Sequence, residues 1–464
     1  MNEINVLLPE VFLSIAACGL LLIGVFSKCF KYSHIFLATT FSVAIYFLLT
    51  KVPGEASAFN DLFKTTGLIK LLKLLLLVSA VFFTIFYGRR QTEGCSLMRI
   101  DLYEFSVLVI LAVTGMLLML SANNFLSLYV SLELQSFCLY VLAAFEREDS
   151  KSSEAGLKYF ILGSFASGLL LFGISLIYGF TGNLGFDNLQ ILLVNNSSGN
   201  IAIGVIIGII MLLIGIFFKI SAAPFHMWTP DVYQGSPTIV TSFFATVAKI
   251  ASVGVLLRIS SEILFSWKVD LQPILVLITC TSVLVGAIGA LKQTNIKRLL
   301  AYSSIGHVGF MLLAISSFTQ DLSVIIYLTI YVTMTLGTFA IIMNIKTNDK
   351  DLVEIQDLAG LSKEDPLVAA GLAIFMFSLA GIPPFAGFFA KFYVFKTALT
   401  GGLYPAIVVA IIAAVISAYY YLRIVKIMYF DNPKSKFTNE MTYSSRILVL
   451  ALVLFNLCYI LFSY

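Results

Sequence analysis

Long apolar runs separated by short polar stretches recur from one end of the chain to the other. A run of about 20 apolar residues spans the roughly 30 Å of a bilayer's hydrocarbon core. By that measure the pattern predicts membrane-spanning helices at 6–26, 33–50, 70–88, 102–120, 125–145, 156–178, 201–225, 236–260, 271–291, 299–318, 322–345, 366–396, 404–424 and 446–463. The expected fold is an all-α polytopic membrane protein of about fourteen transmembrane helices. Asn2 and Glu3 precede the first run without a basic flank, and no small-residue cleavage site stands out, so that run is expected to be a retained span.

Two stretches are longer than one span needs. Residues 201–230 end in KISAAPFHMWTP, and residues 366–396 carry SLAGIPPFAGFFAK at their centre. Proline removes a backbone donor and crowds the preceding turn, so each stretch reads as a helix broken within the membrane. Pro224-Phe225 and Pro384-Phe385 stand 160 residues apart, and the blocks around them hold five spans each. Because five is odd, the second block must enter the membrane from the opposite face. Interrupted helices at matching places in two such halves are the pattern of inverted-repeat transporters, where the broken helices line an ion path near midplane. The expected organisation is an N-terminal three-helix segment over 1–101, a first five-helix repeat over 102–260, a second, inverted repeat over 271–430, and a C-terminal helix over 446–464.

Composition sharpens this picture. Of 464 residues, 59% are hydrophobic and only 12% charged, against about 45 to 50% and about 25% in soluble domains. A water-soluble fold is excluded, and lipid is the first partner. The net charge of +4 needs no nucleic acid to explain it, because basic cytoplasmic loops produce the same excess. With the N-terminus outside, the loops carrying Lys28 and Lys31, Arg89, Arg90 and Arg99, Arg147 and Lys151, Lys292, Lys297 and Arg298, Lys346, Lys350 and Lys363, and Arg423 through Arg446 all face the cytoplasm. Lys51, Lys64, Lys70, Lys73, Arg258, Lys268 and Lys396 fall on the other side. The loop 179–200, free of Lys and Arg, also lies there. Both termini are therefore expected on the periplasmic side.

With so few charges overall, those inside the spans carry the functional signal, since an ionisable group at bilayer depth costs roughly 2.5 to 3.5 kcal/mol on insertion scales. Glu133 is the only charged residue in NNFLSLYVSLELQSFCLYVLAAF and is too short to reach water, so it must be paired or protonated. Lys158, in EAGLKYFILGSF, is the nearest span-embedded basic residue in chain order and is expected to pair with Glu133, with snorkelling to the cytoplasm as the alternative. Lys219 stands just before the first break, Lys249 sits in SFFATVAKIASVGVLL on the next helix, and Lys391 in AGFFAKFYVF follows the second break. A lysine stripped of its water shell can take and release a proton at physiological pH.

His226, in PFHMW beside the first break, is read as a proton relay or as a cap on broken-helix carbonyls. His307, near Tyr302, Ser303 and Ser304, is placed to carry protons toward the second half through hydroxyls and water. Glu104 is a weaker candidate near a cytoplasmic entrance, Asp101 weaker still, and Arg258 and Lys396 are expected to snorkel at outer ends. The three histidines lie in different regions with no carboxylate cluster, so no metal site is expected. There is no GxGxxG or GxxxxGK phosphate loop and no readable nucleophile triad. Cys18, Cys29, Cys95, Cys138, Cys280 and Cys458 show no CxxC spacing, so no disulfide or iron–sulfur site is expected.

Basic groups and one carboxylate strung along two inverted blocks suit a chain of proton sites, each charge biasing the next. Moving a proton against about 150 mV costs about 3.5 kcal/mol, which nothing in this chain supplies, so a coupled partner or an exchanged ion is required.

The segments FLSLYVSLELQSFCLYVLAAF, LKYFILGSFASGLLLFGISLIYG, FFKISAAPFHMWTPDVYQGSPT, FFATVAKIA and LAGIPPFAGFFAKFYVF closely resemble the subunit N family of bacterial NADH-quinone oxidoreductase, the respiratory complex I. The resemblance covers essentially the whole chain. It implies an antiporter-like proton-translocating subunit of the membrane arm, in the cell inner membrane beside neighbouring antiporter-like subunits. No cofactor is expected in this chain; NADH, FMN, iron–sulfur clusters and quinone belong to the rest of the complex, whose redox chemistry drives the pump. The resemblance also implies that Glu133 is the coupling carboxylate, Lys158 its partner, Lys219 the broken-helix lysine, Lys249 the central relay and Lys391 the terminal lysine. A cation/proton antiporter subunit without redox coupling is the alternative.

Overall fold

A computed structural model describes residues 2–26, 33–92, 103–195, 202–319, 322–347, 350–433 and 436–462. Cys29, Cys95, Asp101, Lys28, Lys31, Arg99 and Lys434 lie outside the described residues, as do the side chains of Arg89 and Arg90.

Among the described residues, thirteen helices are long and apolar enough to cross a membrane. The remaining expected stretch, 366–396, is divided into the helices Pro366–Ala380 and Ala386–Thr400, each too short to cross alone. The 201–230 stretch divides in the same way, into Ile203–Ile220 and Trp228–Gly235. Both helices are thus discontinuous where the prolines stand, and the Ala223–Pro224 and Pro383–Pro384 bonds are both cis.

Helix ends follow local chemistry. Asn124 accepts from Leu126 N at 2.8 Å to start Phe125–Ala143, and Asp365 accepts from Val368 N at 3.2 Å ahead of Pro366. Each satisfies a donor that the helix cannot. Gly381, at φ +83°, ends the first half of the second broken helix. The matching position in the first break is Ser221, at φ +63°, a conformation uncommon for a residue with a β-carbon.

Short antiparallel strands are the exception to the all-α expectation, and they lie between helices. Ala56–Ala58 pairs with Phe63–Thr65 around a turn of positive-φ residues Phe59, Asn60 and Asp61. Ile345–Thr347 pairs with Lys350–Asp351 and with Phe437–Asn439, in register Ile345 to Asn439.

The chain forms two compact units, one of Met1–Ile220 with Gly235–Leu271, the other of Ser221–Gln234 with Gln272–Tyr464. In the first, the helices Ser150–Thr181 and Ile203–Ile220 cross closely. A β-carbon on Gly173 would stand 2.5 Å from the Gly208 carbonyl oxygen, so only glycine permits the approach. In the second, the excursion 221–234 is tied down by polar contacts. Ala223 N donates to Ser282 Oγ at 2.9 Å, Thr281 Oγ1 donates to Ala223 O at 3.0 Å, and the Arg298 guanidinium reaches Asp231 at 2.6 Å and Gln234 at 3.0 Å. The contacts at Ala223 satisfy backbone freed by the break, as the membrane interior requires, and those of Arg298 hold the side chains that follow it. The spans Thr238–Ile263, Ile296–Ile315 and Ser323–Asn344 are mostly enclosed by protein, whereas Leu8–Phe26, Ser33–Thr50 and Tyr443–Leu461 turn most of their surface outward.

Candidate functional site

Glu133, Ser136 and Tyr140 lie three and four residues apart on the helix Phe125–Ala143, so they share one face. Lys219 approaches that face from the last turn of Ile203–Ile220. Its ammonium donates to Ser136 Oγ at 2.6 Å and to Tyr140 Oη at 3.2 Å, and lies 5.3 Å from the centroid of the Tyr140 ring. Glu133 is within electrostatic range of Lys219, and its Oε1 is buried with no hydrogen-bond partner among the described residues. The carboxylate and the ammonium are thus charged neighbours without a direct ion pair, and the charge of each bears on the other.

Lys158 stands elsewhere. Its ammonium is 2.8 Å from Glu154, one turn earlier, and the two side chains are 43% and 63% exposed. The helix Ser150–Thr181 has 32 residues, about 48 Å at 1.5 Å each, more than the roughly 30 Å hydrocarbon core can cover. The structure therefore shows Lys158 paired with Glu154, where chain order predicts Glu133, and places Glu133 within electrostatic range of Lys219. Adjacency in chain order could not distinguish two faces of one helix.

Lys249 is buried and donates to Ile220 O at 2.6 Å. Ile220 is the last residue of the first half of the first broken helix. Lys391, also buried, donates to Leu379 O at 3.2 Å and Ala380 O at 2.8 Å, the last carbonyls before the second break. Its ammonium stands 5.1 Å from the centroid of the Phe310 ring. In both cases a lysine ammonium closes the C-terminal end of a half-helix, where unpaired carbonyls and the helix dipole favour a cation by about 0.3 to 2 kcal/mol. Gly381 makes room for this: a β-carbon there would stand 2.9 Å from Lys391 Cδ.

The second break is held from behind. Gly387 N donates to Ser378 Oγ at 3.0 Å, and Ser378 Oγ donates to Asn456 Oδ1 at 2.9 Å. Asn456, on the helix Tyr443–Cys458, also donates to Leu452 O at 2.9 Å.

His307 is buried on Ile296–Ile315, with both ring nitrogens engaged. Nδ1 is 2.7 Å from Tyr327 Oη and Nε2 is 3.2 Å from Tyr421 Oη. Tyr421 also meets Ser303 Oγ, and Tyr331 donates to Ser304 Oγ at 3.0 Å. Ser303, His307, Lys391, Tyr420 and Tyr421 line a cavity of about 10 Å³, near the minimum that holds one water. Ser303 and Ser304 are read from the sequence as neighbours of His307. Tyr327 and Tyr421 are not, because a tyrosine on a membrane helix is ordinarily an interfacial residue.

His226 is half-buried within the first break. Its Nδ1 has no hydrogen-bond partner among the described residues, while its carbonyl accepts from Thr229 N at 2.9 Å. The ring also bonds the Pro224 backbone, so the imidazole meets a carbonyl at the break, as the capping alternative expects. Glu104 lies in the first turn of Tyr103–Ser121.

Two further charged groups differ from expectation. Arg258 is buried and does not snorkel; it donates to Leu120 O at 2.7 Å and Ala122 O at 2.8 Å and pairs with Glu262 at 2.8 Å. It closes the carbonyl end of Tyr103–Ser121 from the helix Val247–Arg258. Lys73, expected on the outer side with the loop residues, is fully buried against Glu10, which is 2% exposed. Removing one partner of a buried ion pair leaves the other charge unpaired, at about 3 to 5 kcal/mol. Glu10→Ala is therefore expected to lower the amount of folded protein in detergent extracts at elevated temperature, and Glu10→Ala with Lys73→Met to recover most of it.

Among the described residues, no group of three or more His, Cys, Asp or Glu side chains could hold a metal ion. Cys18, Cys138, Cys280 and Cys458 are free thiols.

Residues 122–417 match the family described as NADH:quinone oxidoreductase/Mrp antiporter, membrane part. The chain is 46% identical over 441 residues to NADH-quinone oxidoreductase subunit N of Parvibaculum lavamentivorans, covering 94% of this chain and 89% of that one. Among solved structures it is similar to a chain of respiratory complex I from Thermus thermophilus with bound aureothin. The TM-score is 0.83 at 32% identity, over 98% of this chain and 97% of that one. A chain of the Mrp complex from Dietzia shares the fold with a TM-score of 0.83 at 18% identity, over 98% of this chain and 94% of that one.

Proposed function

Because the chain belongs to the NADH:quinone oxidoreductase/Mrp antiporter membrane family, with subunit N sequences among its close relatives, we propose that it is a proton-translocating membrane-arm subunit of a bacterial NADH-quinone oxidoreductase. It moves protons across the cell inner membrane beside neighbouring antiporter-like subunits. Electron transfer from NADH to quinone in other subunits, which hold the FMN, iron–sulfur clusters and quinone site, drives it. The chain itself is a translocase part without a redox centre. The identity of 46% to a subunit N, against 18% to the Mrp chain, favours this reading over a cation/proton antiporter working without redox coupling.

The observation that carries the mechanism is the series of buried lysines at the helix breaks. Lys219 beside Glu133, Lys249 on Ile220 O and Lys391 on Ala380 O each hold a proton in a low-dielectric site. A change in charge at one site alters the cost of charge at the next, so a proton loaded at Glu133 and Lys219 is handed toward Lys249, then through His307 to Lys391. His226, beside the first break, is a secondary relay candidate. Two inverted five-helix repeats over 102–260 and 271–430, flanked by 1–101 and 446–464, account for the parallel lysine caps. Both termini lie on the periplasmic side in this arrangement.

Lys158, paired with Glu154 on a half-exposed surface, modulates charge near the entrance and is not an obligatory stop. Lys158→Ala is accordingly expected to reduce proton pumping per NADH oxidised by at most about threefold, in line with an exposed pair. A loss in the assembled complex as large as that of Lys219→Ala would restore Lys158 to the central path. Purification of the tagged chain in mild detergent tests the partner assignment. Recovery with redox subunits is expected, and recovery with antiporter subunits alone would favour the other reading.

A further inference from the structure

The second unit contains a hydrogen-bond chain that neither the lysine series nor the family match assigns. It runs from Tyr327 Oη to His307 Nδ1 at 2.7 Å, from His307 Nε2 to Tyr421 Oη at 3.2 Å, and from Tyr421 Oη to Ser303 Oγ. All four side chains are buried, and they come from three helices, Ile296–Ile315, Ser323–Asn344 and Tyr404–Phe430. A neutral imidazole has one N–H and one bare nitrogen. With a hydroxyl on each side, the bonds must run in a single sense. If Tyr327 donates to Nδ1, then Nε2–H donates to Tyr421, which donates onward to Ser303. If Ser303 donates to Tyr421, every bond reverses and Nδ1–H donates to Tyr327. The chain therefore has two polarities, and the tautomer of His307 records which one is present.

We propose that Tyr421 is the hydroxyl relay between Lys391 and His307, and that Tyr327 is the positioning residue that sets the imidazole tautomer. Lys391, Ser303, Tyr421 and His307 line the cavity of about 10 Å³, close to the minimum for one water, and a single water there would bridge them. In the transfer, Lys391 Nζ–H breaks as water gains a proton, and water gives one of its protons to Tyr421 Oη. Tyr421 in the same motion gives its own proton to bare Nε2. Lysine ends neutral, imidazole ends as the cation, and water and tyrosine end unchanged in charge. Transfer in the opposite direction follows the same atoms. Nε2 is bare only when the proton sits on Nδ1, so Tyr327 readies the site by accepting from Nδ1–H. This rests on the proposed proton path through His307.

The test uses intact complex carrying Tyr421→Phe, Tyr327→Phe or His307→Ala in this chain. Proton uptake and quinone reduction are measured in vesicles, in H₂O and D₂O, and normalised to NADH–ferricyanide turnover as the amount of complex. Losing the relay hydroxyl, with its bonds to His307 and Ser303, should slow proton-coupled turnover by about tenfold in Tyr421→Phe, with a larger solvent isotope effect than wild type because the transfer becomes limiting. Tyr327→Phe should slow turnover less and also raise the isotope effect. A loss with an unchanged isotope effect would mean a packing role only and overturns the relay. Normal pumping in Tyr421→Phe with impaired pumping in His307→Ala overturns this inference and leaves the proposed function standing. Normal pumping in His307→Ala overturns the path through His307 itself. If Tyr421→Phe fails to assemble, Ser303→Ala, which frees the same hydroxyl from its other partner, is expected to slow turnover less while still raising the isotope effect, and a slowing with an unchanged isotope effect there overturns the relay.

Discussion

Replacing Lys219 by alanine is expected to lower proton pumping by about 10- to 100-fold, the range for losing a positioned proton-transfer group, and to slow coupled quinone reduction with it. Assembly should largely survive. The ammonium is bound by two hydroxyls, Ser136 Oγ and Tyr140 Oη, and each can turn to a helix carbonyl once the lysine is gone; Ser136 already donates to Leu132 O. Glu133 is left without the ammonium in its electrostatic range. The charge of one can then no longer bear on the other. Glu133→Ala should impair pumping in the same direction, whereas Glu133→Gln, equally uncharged, separates charge from packing by keeping the volume. The measurement is protons translocated per NADH oxidised in vesicles holding equal amounts of complex. A normal ratio in Lys219→Ala would sink the assignment of Lys219 to the path.

The second large effect concerns structure. Gly387→Ala would put a β-carbon inside van der Waals contact of the Ser378 carbonyl oxygen, which belongs to the other half of the broken helix. Backbone cannot move aside as a flexible side chain can. The halves must separate, at about 1 to 3 kcal/mol or more for overpacking, and the Gly387 N to Ser378 Oγ bond at 3.0 Å is lost with them. Ser378 also anchors Asn456, so the helix Tyr443–Cys458 loses an attachment as well. The expected result is a marked drop in the chain recovered in assembled complex, with pumping per assembled complex lowered because Ala380 O moves relative to Lys391. Ser378→Ala should be milder, since it removes the hydroxyl without forcing the backbone apart. Full assembly of Gly387→Ala would show that the two halves have slack.

Much of this arrangement was legible in the residues because the membrane makes exceptions conspicuous. A lysine in MLLIGIFFK or a Pro-Pro inside an apolar run breaks a strong pattern, so Lys219, Lys249, Lys391 and both helix breaks could be read directly. Partnership was less legible. Chain order placed Lys158 nearest Glu133, but the pairing depends on which helix face each residue occupies, and the 32-residue helix carries Lys158 out toward Glu154. Glu10 and Lys73 each stand near the end of a span, where snorkelling is the simple explanation, and 63 residues of chain separate two groups that meet in the fold. Arg258 was obscured in the same way. Tyr327 and Tyr421 were hidden by number, since 21 tyrosines offer no local mark for the two that hold His307.

The excursion 221–234 has a consequence in time. Ala223 N bonds Ser282 Oγ, 59 residues further along the chain, and Arg298 lies 67 residues beyond Asp231. At about 5 to 20 residues per second, the ribosome leaves the first break without these partners for several seconds after it has been made. During that interval its open carbonyls and amides face either lipid, which cannot satisfy them, or water and the insertion machinery, which can. The order of synthesis thus makes this one segment wait, and the first half of the molecule is finished only after the second has begun to enter the membrane.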